Sequence, residues 1–371
     1  MIPVCTPSLS GKELAYVKDC LETNWISSQG KYVKAFEEQF AAYCGVTHGI
    51  ATTSGTTALH LALATLKIGP GDEVILPAFT MMATAFAVLY CGARPVLVDA
   101  DPETWNMDPS LLAEKITGKT RVILPVHIYG HPCDMDPIRE LAEDHHAVVV
   151  EDAAEAHGAE YRGKRAGSLG QIGCFSFYAN KIITTGEGGM VVTDDPALAA
   201  RARALKDLAF DPEKRFLHTD LGFNYRMTNI QAAIGLAQLE RIGTFVAARR
   251  AHAARYHELL QDLRGLRLPV EKPWARNVYW MYGIVTGKES PVPRDRLMGL
   301  LADRGVETRA FFIPVHRQPV CRKMGLFSGE RYPVAEDLGE NGLYLPSGSG
   351  LTGEELAQTA GSLHEIWDLG R

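Results

Sequence analysis

The sequence predicts an α/β protein, with a mostly parallel sheet covered on both faces over residues 1–244 and a smaller domain over 245–371. Three observations predict this. Between residues 48 and 195, short apolar runs rich in β-branched residues alternate with segments of helical periodicity. The last two runs, 172–177 and 190–193, follow each other with no helix between them, so part of the sheet is expected to be antiparallel. After Asn229 the pattern turns helical, until Pro269 and Pro273 interrupt it.

Seven runs are expected as strands: 48–52, 73–76, 95–99, 121–126, 147–151, 172–177 and 190–193. Helices are expected at 56–66, 80–90, 109–116 and 136–144. Residues 229–241 and 244–263 read as further helices. The remainder mixes strands at 279–285 and 307–312 with helices at 294–304 and 353–367. Residues 74–93 carry no charge and are long enough to cross a bilayer. Pro77 breaks that stretch early, and it reads as a buried strand, a turn and a helix.

The 371 residues carry 38 Lys plus Arg against 44 Asp plus Glu, a net charge of -6. That balance excludes a protein held to nucleic acid or a membrane mainly by basic charge. Seven scattered cysteines include no CxxC pair, which argues against a disulfide framework or structural zinc and fits a reducing cytoplasm. The start, MIPVCTPSLSGKE, shows no secretory-signal pattern.

Some local patterns fail on inspection. Residues 158–164 match the start of a nucleotide P-loop, but Arg165 stands where a hydroxyl should bind magnesium. No GxGxxG is present. His127, His131 and Cys133 are close in sequence, but Gly130 and Pro132 make the stretch a loop, and no metal site is expected.

Three features together point to chemistry. In SFYANKIITTGEGG (176–189), Lys181 follows an apolar strand and precedes a glycine-rich turn. A surface lysine on a hairpin is the plain alternative, yet the small and hydroxylic neighbours leave room for a ligand. A reactive amine there could form a Schiff base with an aldehyde cofactor. Asp152 closes the 147–151 run, and ligands of open α/β sheets sit beyond such strand ends. A carboxylate there could keep a pyridine nitrogen protonated; a pair at about 4 Å and an effective dielectric near 20 is worth roughly 4 kcal/mol, about 3 pKa units. Thr53-Ser54-Gly55-Thr56-Thr57 lies between a strand and a helix, where N–H groups and hydroxyls suit a phosphate, or serve simply as an N-cap.

In this order, these residues resemble the pyridoxal-phosphate-dependent nucleotide-sugar aminotransferases of the DegT family. The resemblance runs from about Pro7 to the C-terminus, through TSGTTALHLAL (53–63), PVHIYG (125–130), EDAAEAHGA (151–159), SFYANKIITTGEGG (176–189) and GFNYRMTNIQAAIGLAQLER (222–241). It implies the aspartate-aminotransferase fold, fold type I, and a homodimer with shared active sites. Lys181 would bind pyridoxal 5'-phosphate covalently and then move a proton between carbons. Asp152 would pair with the ring nitrogen, and Gly55, Thr56 and Ser176 would hold the phosphate. Phe79 would stack on the ring and Glu155, where many relatives carry Gln, would lie near its hydroxyl. Asn224 would reach the phosphate in the neighbouring subunit. Arg226, His316 and Tyr225 would contact substrate; a dimer salt bridge, a capping loop and core packing are their respective plain alternatives.

Within the family the chain looks most like the GDP-perosamine synthases, through SFYANKIITTGEGGM, NYRMTNIQAAIGLAQLE and ETRAFFIPVH. The implied reaction moves an amino group from glutamate to a nucleotide-linked keto sugar, foremost GDP-4-keto-6-deoxy-mannose. The alternatives are amination at C3 or C4 of a UDP- or dTDP-linked sugar, and a non-catalytic pyridoxal-phosphate-binding regulator. His157 departs from the apolar residue expected in the perosamine branch, which leaves the sugar open, whereas Lys181 excludes the dehydratase branch that carries His there.

Overall fold

The structure is a computed structural model that describes residues 1–214 and 216–369. Its centre is a seven-stranded sheet: β1 His48–Thr52, β2 Glu73–Pro77, β3 Arg94–Val98, β4 Thr120–Ile123, β5 Val148–Asp152, β6 Ile172–Ser176 and β7 Gly189–Thr193. The spatial order is β1-β7-β6-β5-β4-β2-β3. From β6 to β3 every pairing is parallel, while β7 runs antiparallel to both neighbours. The reason is the one visible in the sequence: residues 177–188 hold no crossover helix, so the chain returns directly.

The helices before and around this sheet are α1 Glu13–Glu22, α2 Lys31–Cys44, α3 Gly55–Thr65, α4 Met82–Tyr90, α5 Met135–Asp144, α6 Pro196–Lys206 and α7 Asn229–Leu239. Helix α3 is buried on nearly every side, which explains its weak apolar periodicity. It starts because Ser54 accepts the Thr57 N–H while the Thr57 hydroxyl takes the Ser54 N–H, a reciprocal cap. The uncharged stretch resolves into β2 and the nine-residue α4, and no described helix is long and apolar enough to cross a membrane.

Two expectations fail locally. The helix expected at 109–116 is a pair of short 3-10 turns, Pro109–Leu111 and Ala113–Lys115, capped by Asp108. The strand expected at 307–312 shortens to two paired residues, Arg309–Ala310. Residues 158–165 fold as a small hairpin, Glu160–Tyr161 against Lys164–Arg165, turned by Arg162 and Gly163 at positive φ.

Helix α8, Ile242–Leu260, links two cores. Ile242, Phe245 and Val246 pack into the large core, and Ala253, Tyr256 and Leu260 into a second one. The second core is built on β8 Leu266–Arg267, β9 Tyr282–Thr286, β10 Arg309–Ala310 and β11 Gly342–Leu345, antiparallel in the order β8-β9-β11-β10. Helices α9 Arg294–Asp303, α10 Pro319–Lys323, α11 Pro333–Asn341 and α12 Gly353–Leu369 complete the chain. The N-terminus joins this second core: Ile2 is buried in it and bridges to Val306.

The end of β5 is fixed by a buried polar knot. Glu151 accepts the backbone N–H groups of Gly167, Leu169 and Gly170, each at 2.7 Å. His127 Nε2 lies 2.9 Å from the same carboxylate. The Cys133 N–H donates to His127 Nδ1 at 3.0 Å, so Nε2 carries the proton and the imidazole is neutral. These residues, read as a failed metal motif, thus tie two loops to the strand that presents Asp152.

Glu151→Gln turns an amide N–H2 toward donors that now find an acceptor. Each buried unpaired group costs about 1–3 kcal/mol, so the unfolding free energy is expected to fall by about 2–4 kcal/mol in urea denaturation of the full chain. An unchanged midpoint and slope would remove the knot from the account of this strand end.

Candidate active site

The carboxyl ends of β1, β2, β4, β5 and β6 meet at one edge of the sheet, where β7 begins: Gly189 pairs with Thr52 on one side and Ser176 on the other. A cavity of about 380 Å³ opens there. Ser54, Gly55 and Thr56 line it after β1, Thr80 and Met81 after β2, Asp152 and Glu155 at and after β5, and Ser176, Tyr178, Asn180 and Lys181 at and after the end of β6. Strand β11 and the segments beside β9 and β10 contribute Tyr344, Trp280 and Phe312, whose side chains pack with the large core.

Asp152 is buried and held from both sides. The Thr84 hydroxyl donates to Oδ2 at 2.8 Å, and the Ala154 N–H donates to Oδ1 at 3.2 Å. Burial nonetheless raises its carboxyl above the ordinary range, with the Thr84 hydrogen bond working the other way. Lys181 is largely buried, with Nζ 3.7 Å from Glu155 Oε1 and 3.7 Å from the centroid of the Trp280 ring. Burial lowers its ammonium, and the Glu155 and Asp152 charges oppose that.

At the start of α3, Gly55 allows a close approach to β6. A Cβ on Gly55 would lie 2.7 Å from the Ser176 Cβ, inside van der Waals contact. A helix N-terminus with spare N–H groups, a serine beside it and no side chain in between form a cradle for a phosphate. Asp152 offers an uncompensated buried carboxylate where a cationic ring nitrogen would restore its charge. Both observations fit pyridoxal phosphate. Gly55, Thr56, Asp152, Glu155, Ser176 and Lys181, expected from the sequence, share the cavity.

Other expected residues lie elsewhere. Phe79 is not among the lining residues; it is 1% exposed and packs against Tyr129, Phe311 and Phe312, whereas Met81, 51% exposed, forms the wall. Strand alternation would put residues 79 and 81 on one side, but the strand ends at Pro77, and the aromatic cluster takes Phe79 inward. Asn224 is exposed and outside the cavity of its own chain. Tyr225 is hydrogen-bonded to His60 Nδ1 at 2.9 Å and stacked on Phe223, and Arg226 pairs with Asp207. His316 is buried against Glu336 at 3.1 Å, also outside the cavity. His157 belongs to the aromatic core, 5.3 Å from Phe175 and 5.6 Å from Phe177, and burial pushes it down to about 3.

Sequence reading missed Met81, Tyr178, Asn180, Trp280, Phe312 and Tyr344. The strand-end rule flags Met81, since it closely follows β2. Nothing local to Trp280, Phe312 or Tyr344 points toward Lys181.

The sequence model of the DegT/DnrJ/EryC1/StrS aminotransferases matches residues 7–364. The chain belongs to this family. It is 49% identical over 369 residues to the GDP-perosamine synthase of Caulobacter vibrioides, covering 98% of each chain. It is 44% identical to the enzyme of that name from Escherichia coli O157:H7, covering 99% of this chain and 98% of that one. Among solved structures, Spr1654 from Streptococcus pneumoniae in its PLP-form superposes with a TM-score of 0.94 at 27% identity, covering 100% of this chain and 99% of the other. The protein is therefore a pyridoxal-phosphate-dependent aminotransferase of fold type I.

Asp152→Asn removes the charge and keeps the size. The variant is expected to fold normally and to lose turnover by about 100-fold or more, given a pair worth roughly 4 kcal/mol. Steady-state rates with saturating cofactor check this; a loss below about threefold would take Asp152 out of the mechanism.

Proposed function

We propose that this aminotransferase moves the amino group of L-glutamate to GDP-4-keto-6-deoxy-mannose, giving GDP-perosamine. The observation that carries this reading is the 49% identity, spanning 98% of both chains, to an enzyme named for that product. The Lys181 cavity supports it with the groups such a reaction needs.

Bound here, pyridoxal phosphate would supply the electron sink and carry nitrogen from donor to acceptor. The chain does the rest. Gly55, Thr56 and Ser176 hold the phosphate end. Asp152 would pair with the ring nitrogen, and Glu155 lies beside the Lys181 amine. Met81, which lines the cavity where Phe79 does not, would pack against the bound ring. Lys181 Nζ, once free, would serve as the positioned amine that accepts and returns the proton. Trp280, Phe312 and Tyr344 shield that amine from water.

The active unit in this reading is a homodimer. Asn224 is exposed on its own chain, and it reaches the phosphate held by a second copy, with Tyr225 and Arg226 beside it as contacts to substrate. His316 is held by Glu336 and packs on Tyr332, outside the cavity of its own chain.

Two experiments test these readings. Glutamate is expected to bleach the visible absorbance of the loaded enzyme, and GDP-4-keto-6-deoxy-mannose to restore it; restoration only by a UDP- or dTDP-linked keto sugar would overturn the acceptor, and full activity in Lys181→Ala would overturn the catalytic assignment. Separately, Lys181→Ala and Asn224→Asp homodimers are each expected to be inactive, and activity to approach a quarter of native after subunit exchange, because mixed dimers hold one intact site. No recovery despite exchange, verified by differently tagged chains, would place Asn224 outside the shared site.

A further inference from the structure

Lys181 is not packed as a lysine waiting in a void. Its amine already has a built resting place, made of one carboxylate and one aromatic face. Glu155 is buried, and it is pinned: Oε2 accepts the Tyr129 N–H at 2.8 Å, which leaves Oε1 to face Nζ at 3.7 Å. Tyr129 presents that N–H from a left-handed conformation, φ 52°, inside the Ile128–Gly130 turn. On the other side the Trp280 ring lies 3.7 Å from Nζ, and its indole N–H donates to the Asn180 carbonyl at 2.8 Å, next to the lysine in the chain. The Trp280 carbonyl in turn accepts from the buried Arg249 at 2.5 Å.

From this geometry we infer that Glu155 is the proton partner of Lys181: whenever the amine is free of the cofactor, one proton is shared between Nζ and the Glu155 carboxylate, with Trp280 fixing the amine at the carboxylate. The exchange is closed. An ammonium beside a carboxylate becomes an amine beside a carboxylic acid, with no proton gained from or lost to water. This deepens the aminotransferase reading and rests on it, because it names where the catalytic proton waits.

The surroundings make both forms accessible. Burial pushes the Glu155 carboxyl up to about 7 and lowers the Lys181 ammonium, so the two affinities approach each other. The other titratable or charged groups around the pair are Asp152 at the end of β5, the Tyr129 and Tyr344 hydroxyls, neutral His157, and Arg249 behind Trp280. Among these, Asp152 alone is a second carboxyl acting on Lys181, and Thr84 and Ala154 hold both its oxygens.

The test reads the amine directly. In the full-length, cofactor-free enzyme, the Cε signal of Lys181 in carbon-13-labelled protein is assigned by its absence in Lys181→Ala and followed against pH. Glu155→Gln keeps an oxygen for the Tyr129 N–H and removes only the charge. Its Lys181 midpoint is expected to fall by one unit or more, so that about tenfold more amine is free at a given pH below the midpoint. The rate at which added pyridoxal phosphate is captured at such a pH should rise in parallel. Glu155→Asp is expected to stay closer to native than Glu155→Gln, and it serves if the Gln variant folds poorly. A Lys181 midpoint within about 0.3 units of native in Glu155→Gln, or equal midpoints in the Asp and Gln variants, would overturn the pairing. Because this titration needs no turnover, it stands apart from a failure of the sugar or donor assignment.

Discussion

Two carboxylates and one ammonium sit together on the dry floor of a cavity, and much of the molecule serves to keep them there. Asp152, Glu155 and Lys181 are each costly to bury alone. They are tolerated because Thr84, the Ala154 and Tyr129 N–H groups and the Trp280 ring hold them in fixed relation. The sheet supplies the rigidity behind this arrangement. Strand β5 carries Asp152 at its last position, and the Glu151 knot fastens that end to the loops at 127–133 and 167–170.

The direct return from β6 to β7 has a chemical consequence. A crossover helix there would carry residues 177–188 over a face of the sheet. Without one, the segment stays at the strand ends, where Lys181 meets Asp152 and Glu155. Gly189, at the turn into β7, would place a Cβ 2.2 Å from the Ser54 carbonyl, so the close packing of β7 on the start of α3 needs a glycine. The phosphate cradle and the lysine are therefore set by the same strand pair.

The small sheet and its flanks supply a wall. Trp280 precedes β9, Phe312 follows β10, and Tyr344 lies in β11, so three separated segments reach the same cavity and pack with the large core. Arg249, in the middle of α8, donates to the carbonyls of Trp280 and Ser347 and binds this wall to the helix that spans both cores. The wall narrows access to the amine.

Much was legible in the chain itself. The seven strands, the antiparallel return and the strand-end positions of Gly55, Thr56, Asp152 and Lys181 follow from local pattern, because strand burial and strand-end position leave short-range signatures; Ser176 and Glu155 rest on the family resemblance. The 109–116 segment misled because Asp108 and Pro109 form a helix-start signal; the same Asp-Pro pair opens α6 at Pro196, whereas here the chain makes only two short 3-10 turns. Phe79 misled because sequence distance from a strand end does not say which way a side chain turns; the aromatic cluster of Tyr129, Phe311 and Phe312 decides that. What the sequence determined alone was the order of elements and the chemical types at the strand ends. What only the tertiary structure decided was that Glu155 and Trp280 flank Lys181, and that Asn224, Tyr225 and Arg226 stay outside their own cavity. Those relations join residues far apart in the chain, and only the packing of one core on the other sets their distances.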